Sequence, residues 1–291
     1  ILSFPSGYTI ERALVFDGAA DFLKRTYYKA GTEETWACSF WAKGFKVDTT
    51  QYIFSSRIDG SNTGYIELLS GSGNQLQMRD YDESARHQVK TNAILRDQTA
   101  WYHFLCVNDT TNGTSADNQR IYINGIRQEI ASLSPSVSAD DYASVVGINS
   151  ANSHYIGQDG NDQNWYYGSI AEFIFVDGST TTTTVDSANK LTSNELGEFD
   201  SNGVWVPKNP SSLTFGANGV HLKFDDPNLL VKSANTTTTP SVSHLGSAVT
   251  TSTGQVHTIS GATWGAAASN RSLVIATGGA RNNAGTRSVQ S

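Results

Sequence analysis

The sequence predicts an all-β protein of antiparallel strands. Three observations carry this. Short segments with apolar residues at alternate positions recur along the chain, as half-buried strands require. Turn dipeptides separate them: Asp17-Gly18, Asp59-Gly60, Asn112-Gly113, Asn124-Gly125, Asp159-Gly160 and Asp177-Gly178. Helical periodicity is confined to Ser187 to Phe199, where Leu191, Leu196 and Phe199 fall on one rough stripe, so one short helix is expected there. Many short strands between such turns argue for a sandwich or barrel.

The stretch from Trp101 to Gln128 organises the rest. Trp101, His103, Leu105 and Val107 share one face of a strand, and Tyr102, Phe104 and Cys106 the other. Apolar groups on both faces predict a central strand covered on both sides. Asn124-Gly125 then interrupts an alternating segment, the signature of a type I′ hairpin, which needs φ > 0 at both central residues.

Taken in order, residues 1–12 are read as an N-terminal arm. Strands are expected at Ala13 to Phe16, Thr35 to Lys43, Gln51 to Ser56, Gly64 to Leu69, Gln75 to Tyr81 and His87 to Lys90. Residues 131–153 read as a polar connection, followed by strands at Tyr155 to Gly157 and Ser169 to Val176. Residues 13–232 form one sandwich, of which 179–232 are a C-terminal extension with extended segments at Val204 to Pro207 and Val220 to Phe224. Residues 233–253 have Ser/Thr-rich linker composition, including Thr236 to Thr239. Residues 254–291 are too few to bury a core alone and read as a β hairpin or the start of a further β domain.

Composition narrows the function. The chain has 291 residues, a formal charge of −7 and only 16% charged residues. Without a basic stripe it cannot neutralise a phosphate backbone, which argues against nucleic acid as partner. No apolar run approaches the roughly 20 residues of a membrane helix, so no membrane insertion is expected. The opening at Ile1 without Met suggests a processed chain or a fragment. Cys38 and Cys106, both in predicted strands, are either buried thiols or one bridge; the burial habit of cysteine favours thiols.

Ala13 to Gly18, Ser39 to Lys43, Trp101-Tyr102-His103, Ile121 to Gly125 and Tyr166 to Phe173 occur in the order of a laminin G-like, concanavalin A-like domain. The resemblance covers residues 13–178. Gly203 to Lys208 and Gly219 to Leu222 resemble an extension of such domains in tail proteins of tailed bacteriophages. The resemblance implies a jelly-roll β-sandwich that binds ligands at a rim or on a concave face, in a family of mostly sugar- or protein-binding modules with some glycoside hydrolases. It also implies calcium at a rim in many members.

Gly157 to Asp162 resembles the calcium loop of the related pentraxins. Asp159, the carbonyl of Gly160, and Asn161 match its ligand positions, with Asp59 and Asn62 in a loop resembling the other half. Calcium takes oxygen ligands such as these, although Asn161 stands where an acid is usual, and Asp, Asn and Gly are also ordinary turn residues. By the family pattern Tyr166 points into the core, which turns Trp165 and Tyr167 outward, where an aromatic face suits a sugar ring. Tyr27-Tyr28 is a second aromatic pair.

Catalytic patterns are weak. The glucanase pattern Glu-x-Asp-x-x-Glu is absent; the nearest acids are Asp80, Asp82 and Glu83, which a solvated turn explains. Glu172 and His103 read as structural, and no serine-hydrolase, zinc-protease or phosphate-loop motif occurs. The resemblance, together with the lack of an acid pair, implies a noncatalytic carbohydrate-binding, lectin-like module of a phage tail fibre or virion, expected to act as part of a homo-oligomeric assembly. Its expected partner is a host cell-surface glycan. A virion spacer binding other virion proteins is the alternative, and a glycoside hydrolase the third reading.

Overall fold

The computed structural model describes residues 7–69, 73–82, 85–112, 114, 117–134, 147–178 and 183–225, together with the backbone of three short strands near the C-terminus. The strands are β1 (Leu14–Asp17), β2 (Phe22–Thr26), β3 (Thr35–Lys43), β4 (Gln51–Arg57), β5 (Asn62–Leu69), β6 (Gln75–Asp82) and β7 (Ala85–Thr91). They continue as β8 (Tyr102–Asp109), β9 (Gln119–Ile123), β10 (Ile126–Arg127), β11 (Ile130–Ser134), β12 (Ser153–Ile156) and β13 (Tyr167–Asp177). The last are β14 (Gly197–Phe199), β15 (Trp205–Pro207), β16 (Val220–Leu222), β17 (Thr263–Trp264), β18 (Ser272–Ala276) and β19 (Arg287–Gln290).

Two antiparallel sheets form a concanavalin A-like jelly-roll sandwich. The first runs β10-β9-β8-β3-β13-β16-β17, and β1 pairs beside β16 along the long strand β13. The second runs β11-β7-β6-β5-β4-β12-β2-β18-β19. Among the described residues no helix is long and apolar enough to cross a membrane.

The main core lies between the sheets. Phe54 of β4 meets Phe173 and Phe175 of β13 at ring distances of 5.3 and 5.5 Å, and Phe40 meets Phe104 at 5.3 Å. Cys38 and Cys106 oppose each other across β3 and β8 as buried free thiols, whose pKa values burial pushes up.

A second core covers the outer face of the first sheet. Trp41, Leu105, Val107, Tyr122, Ile174 and Val176 pack under Leu191, Leu196, Trp205 and Phe215 of the extension. The expected two-sided burial of the Trp101 segment is thus met, one face in each core. Trp205 is the central lid residue. Its indole N–H donates to His103 Nδ1 at 3.0 Å, and a Cβ at Gly125 would lie 2.1 Å from its ring. Gly125 is therefore needed twice, for its φ of +72° in the hairpin turn and for the tryptophan above it.

The helix expected over Ser187 to Phe199 is absent. This stretch is a turn and short bridges, ending in β14. Asp186 accepts the backbone N–H groups of Ala188 and Lys190, and Leu191 N–H donates to Gly125 O, so tertiary partners replace the helical ladder. Leu191 and Leu196 are buried as the stripe implied, but by an irregular chain. Two strands also depart from the sequence reading: β2, which periodicity did not single out, and β11, which pairs with β7 where residues 131–153 read as a polar connection.

Candidate functional site

The end of the sandwich where β13 begins is built from three converging turns. Gly168, at φ +138°, passes so close to the 43–44 backbone that a Cβ would lie 2.4 Å from Gly44 O. A Cβ on Gly18 would lie 2.9 Å from both Tyr167 Cβ and Lys46 Nζ. The buried side chain of Gln51 clamps the join. Its Oε1 accepts the N–H groups of Lys46 and Tyr167, each at 3.1 Å, and its Nε2 donates to Lys46 O at 2.9 Å.

Tyr166 points inward, fully buried, edge-on to Phe16, with its hydroxyl donating to Gly44 O at 2.9 Å. Tyr167 points out and is 47% exposed, and the Lys46 ammonium, also bonded to Gly18 O, stands 5.7 Å from its ring. Trp165 is half-buried, 5.7 Å from Phe22, which in turn lies 6.0 Å from Tyr155, itself capped by Lys24 at 5.2 Å. Tyr155, Phe22 and Trp165 therefore make an aromatic row, and Tyr167 lies two residues along the chain from Trp165. Phe22, Lys24, Lys46 and Gln51 were missed by sequence reading. The sequence carried no alternating signal for β2, because two apolar residues, Phe22 and Leu23, are followed by two charged ones, Lys24 and Arg25, and the strand alternates only in burial.

The expected calcium ligands serve their own loops. Asp159 is buried at 5% exposure rather than displayed at the margin. One of its oxygens accepts the N–H groups of Asn161 and Gln163, and the other the Asn164 amide. Asp59 accepts Ser61 N–H and the Asn62 side-chain amide, which hold its carboxyl below the usual range. All four carboxylate oxygens thus face N–H donors, Asn62 offers its amide hydrogens inward, and the Asn161 side chain is exposed. As arranged this donor set does not fit a calcium cage. Among the described residues no three His, Cys, Asp or Glu groups cluster as a metal would require.

The loop from 157 to 164 lies across the outer face of the second sheet. Gln158 O accepts Ser55 Oγ at 2.6 Å, and Asn164 O accepts Tyr52 N–H at 2.9 Å. On this face lie Tyr52 and Tyr65, edge to face at 4.4 Å, with Arg79 over Tyr65 and Glu67 bonded to Gln77 at 2.6 Å. Burial raises the pKa of Glu67, Asp159 adds to the rise, and Arg79 opposes it. This carboxylate pair was not foreseen, and both members are buried. Asp80 is turned against Gly147, whose Cβ would lie 2.0 Å from its oxygen; the side chains of Asp82 and Glu83 lie outside the described residues. Glu172, at φ +49° in a β-bulge, accepts the Tyr8 hydroxyl at 2.6 Å and contacts His221 Nε2 at 2.5 Å, so it fastens the N-terminal arm. His103 is a satisfied core residue: Trp205 donates to Nδ1, leaving Nε2–H for Ser39 Oγ at 2.8 Å.

The sequence model described as the concanavalin A-like lectin/glucanases superfamily matches residues 17–186, more than half of the chain. The chain belongs to this superfamily. No curated protein matches it. Among solved structures, the superfamily member is similar to the heptameric SAP-like pentraxin from Limulus polyphemus, with 15% identity over 71% of this chain and 100% of that one, at TM-score 0.41. It is similar to domain 4 of the arabinanase AbnA from Geobacillus stearothermophilus, solved with arabinotriose, with 17% identity over 57% and 70% and TM-score 0.42. Mouse laminin α1 domains LG4-5 show 11% identity over 62% and 45%, with TM-score 0.41.

Proposed function

We propose that this chain is a noncatalytic carbohydrate-binding module that presents the Tyr167 rim to a glycan. The observations that carry this reading are the exposed Tyr167 with the Lys46 ammonium beside its ring, and the aromatic row Tyr155, Phe22 and Trp165 with Lys24 on Tyr155. Aromatic faces stack on the apolar faces of sugar rings, and the ammonium groups donate to hydroxyl or carboxylate oxygens. Gln51 fixes the geometry before any ligand arrives, which lowers the ordering cost of binding. The burial of Glu67 and Asp159 supports a binding rather than a hydrolytic role, because a glycosidic bond cannot reach a sealed acid pair.

In this reading the module sits on a virion, in a tail fibre or similar homo-oligomer, and contacts host-surface glycans. The extension from Gly203 to Leu222 supports that setting through its resemblance to phage tail proteins. A shallow site binds weakly per copy, and repeated copies supply avidity. A glycan array probed with the intact chain tests the proposal: binding lost in Tyr167→Ala supports it, and a blank array overturns it.

A second reading has its own observation. β17 adds to β16, and β18 with β19 adds to β2, so chain from the C-terminal region extends both sheets at their edges. Strand addition of this kind also joins protein partners, which suits a virion spacer bound to other virion proteins. A Tyr167→Ala variant that assembles normally but no longer attaches to host cells favours the lectin; one that fails to assemble favours the spacer.

A further inference from the structure

At the Tyr167 rim an exposed ammonium is held in place rather than left to swing. Lys46 is fixed at both ends. Gln51, itself fully buried, accepts Lys46 N–H at 3.1 Å and donates to Lys46 O at 2.9 Å, so a core residue holds the backbone beneath the side chain. At the tip, Lys46 Nζ donates to Gly18 O at 3.1 Å and stands 5.7 Å from the centre of the Tyr167 ring. Gly18 permits that meeting, since any Cβ there would press on the ammonium and on Tyr167 alike.

This anchoring has two consequences for a ligand. A lysine that must be ordered on binding loses side-chain freedom at that moment, whereas Lys46 has lost it already in the free fold. An ammonium also carries three N–H donors. Gly18 O takes one, and the ring attracts the charge through its π face without using a donor as a carbonyl does. Donor capacity is left beside an aromatic surface.

The charge is left over as well. The chain has 27 acidic residues against 20 Lys and Arg, so its cations have acids to find. Arg120 pairs with Asp109, Arg127 with Asp117 and Lys208 with Glu198. Among the described residues Lys46 joins no ion pair. Asp17, opposite Tyr167 across β1 and β13, accepts the N–H groups of Ala19 and Ala20 at 2.8 and 3.2 Å, and Asp21 accepts Asp17 N–H at 3.1 Å. These carboxylates bind the 17–21 turn together instead of compensating Lys46. A sugar hydroxyl would use the free donor of Lys46 but not its charge. A carboxylate uses both, in a charge-assisted hydrogen bond.

We propose that the rim selects acidic saccharides: the sugar ring lies on Tyr167, and its carboxylate, that of a uronic or a sialic acid, pairs with Lys46. This rests on the carbohydrate-binding reading of the rim and adds the class of sugar.

The test is calorimetric titration of the intact chain with two matched pairs, trigalacturonate against its methyl ester and sialyllactose against lactose. The acid member of at least one pair should bind about fivefold tighter at low salt, an advantage that shrinks as sodium chloride is raised. The pair that responds tells a uronic from a sialic acid. Lys46→Met keeps the apolar stem and should bring both members of that pair to equal affinity, while Lys46→Arg should keep the acid ahead. Tyr167→Ala should weaken both members together. Urea midpoints confirm that each variant is folded. Acid and neutral members bound equally by the parent, and both lost in Tyr167→Ala, overturn the acidic preference and leave the rim standing. An acid preference that survives Lys46→Met overturns the assignment to Lys46. An array on which only neutral glycans bind overturns the preference alone, and a blank array overturns the rim with it.

Discussion

The outer faces of the two sheets have met opposite fates. On the first sheet, Trp41, Leu105, Val107, Tyr122 and Ile174 make an apolar surface too large to leave in water, and the extension is spent on covering it. On the second sheet, the corresponding surface is a ladder of Tyr52, Glu67, Gln77, Tyr65 and Arg79, covered by one loop whose polar groups it satisfies. Its margin carries the half-buried aromatic row Tyr155, Phe22 and Trp165, with exposed Tyr167 two residues beyond Trp165. The first face is committed to stability, and in the proposed function the aromatic groups of the second serve recognition. A face is available for binding only when its own residues do not demand a lid.

The strongest way to break this contrast is to remove the lid. Trp205→Ala is expected to cost about 3–5 kcal/mol, the usual range for deleting a buried tryptophan. It also leaves His103 Nδ1 without its donor in an apolar setting. Urea denaturation should show a large fall in midpoint, while glycan binding at the Tyr167 rim persists wherever the variant is folded. A midpoint within experimental error of the parent would mean the extension is not a structural cover.

The next largest effect is set by pH. Burial lowers the pKa of His103, under the lid, and of His154, on β12, from 6.5 to about 3 each. Both are neutral in the fold: His103 accepts from Trp205, and His154 accepts from Asn149. Below pH 6.5 the unfolded chain takes up protons that the folded chain refuses, so unfolding becomes easier as pH falls from 6.5 toward 3. Each site adds a slope of up to about 1.4 kcal/mol per pH unit within that window. The depressed carboxylates Asp59, Asp97 and Asp200 act lower, below their ordinary 3.8. Glu67, raised by burial, has the opposite sign. His103→Gln and His154→Gln should each remove one site's share of the slope measured between pH 6 and 4. A parent stability flat across that range would refute the buried neutral histidines.

Much of this architecture was legible in the sequence, for a physical reason. Strands buried on both faces, such as β3 and β8, write their burial into the sequence as dense aromatic and β-branched runs. Asn124-Gly125 fixed its hairpin because few residues accept that backbone. The failures share the opposite cause. Leu191, Leu196 and Phe199 lie in a segment whose backbone bonds go to Gly125 and Asp186, and tertiary hydrogen bonds leave no period. β2 was missed because Lys24 and Arg25 lie over Tyr155 and Tyr27, contacts invisible without the fold. Tyr167 was found from family order, but Gln51, which sets it in place, is separated from it by more than a hundred residues.

A smaller effect sharpens the recognition side of the comparison. Tyr167→Ala removes a ring already 47% exposed, so folding stability should change by no more than about 0.5 kcal/mol. Glycan affinity at the rim should fall about tenfold, the loss of one stacking platform. Array signal and urea midpoint, measured on one preparation, separate the two. Equal loss in both would mean Tyr167 serves the fold rather than a ligand.

The smallest expected effect is that of chelation. Were calcium the organiser of the second face's loop, EDTA would strip its charge compensation, and Asp159 would be left repelling Glu67 in a buried space. The loop has another source of compensation: three N–H donors surround Asp159, and Arg79 and Gln77 attend Glu67. Each carboxylate is already neutralised by dipoles that a cation would have to displace, at a desolvation cost the exposed Asn161 cannot repay. EDTA should therefore leave both the melting temperature and rim binding unchanged. The control is Asp159→Ala, which abolishes those three acceptor contacts and should destabilise by about 1–3 kcal/mol with or without calcium. A melting temperature that rises on adding calcium, and rises less in Asp159→Ala, would show that the loop rearranges to make a cage.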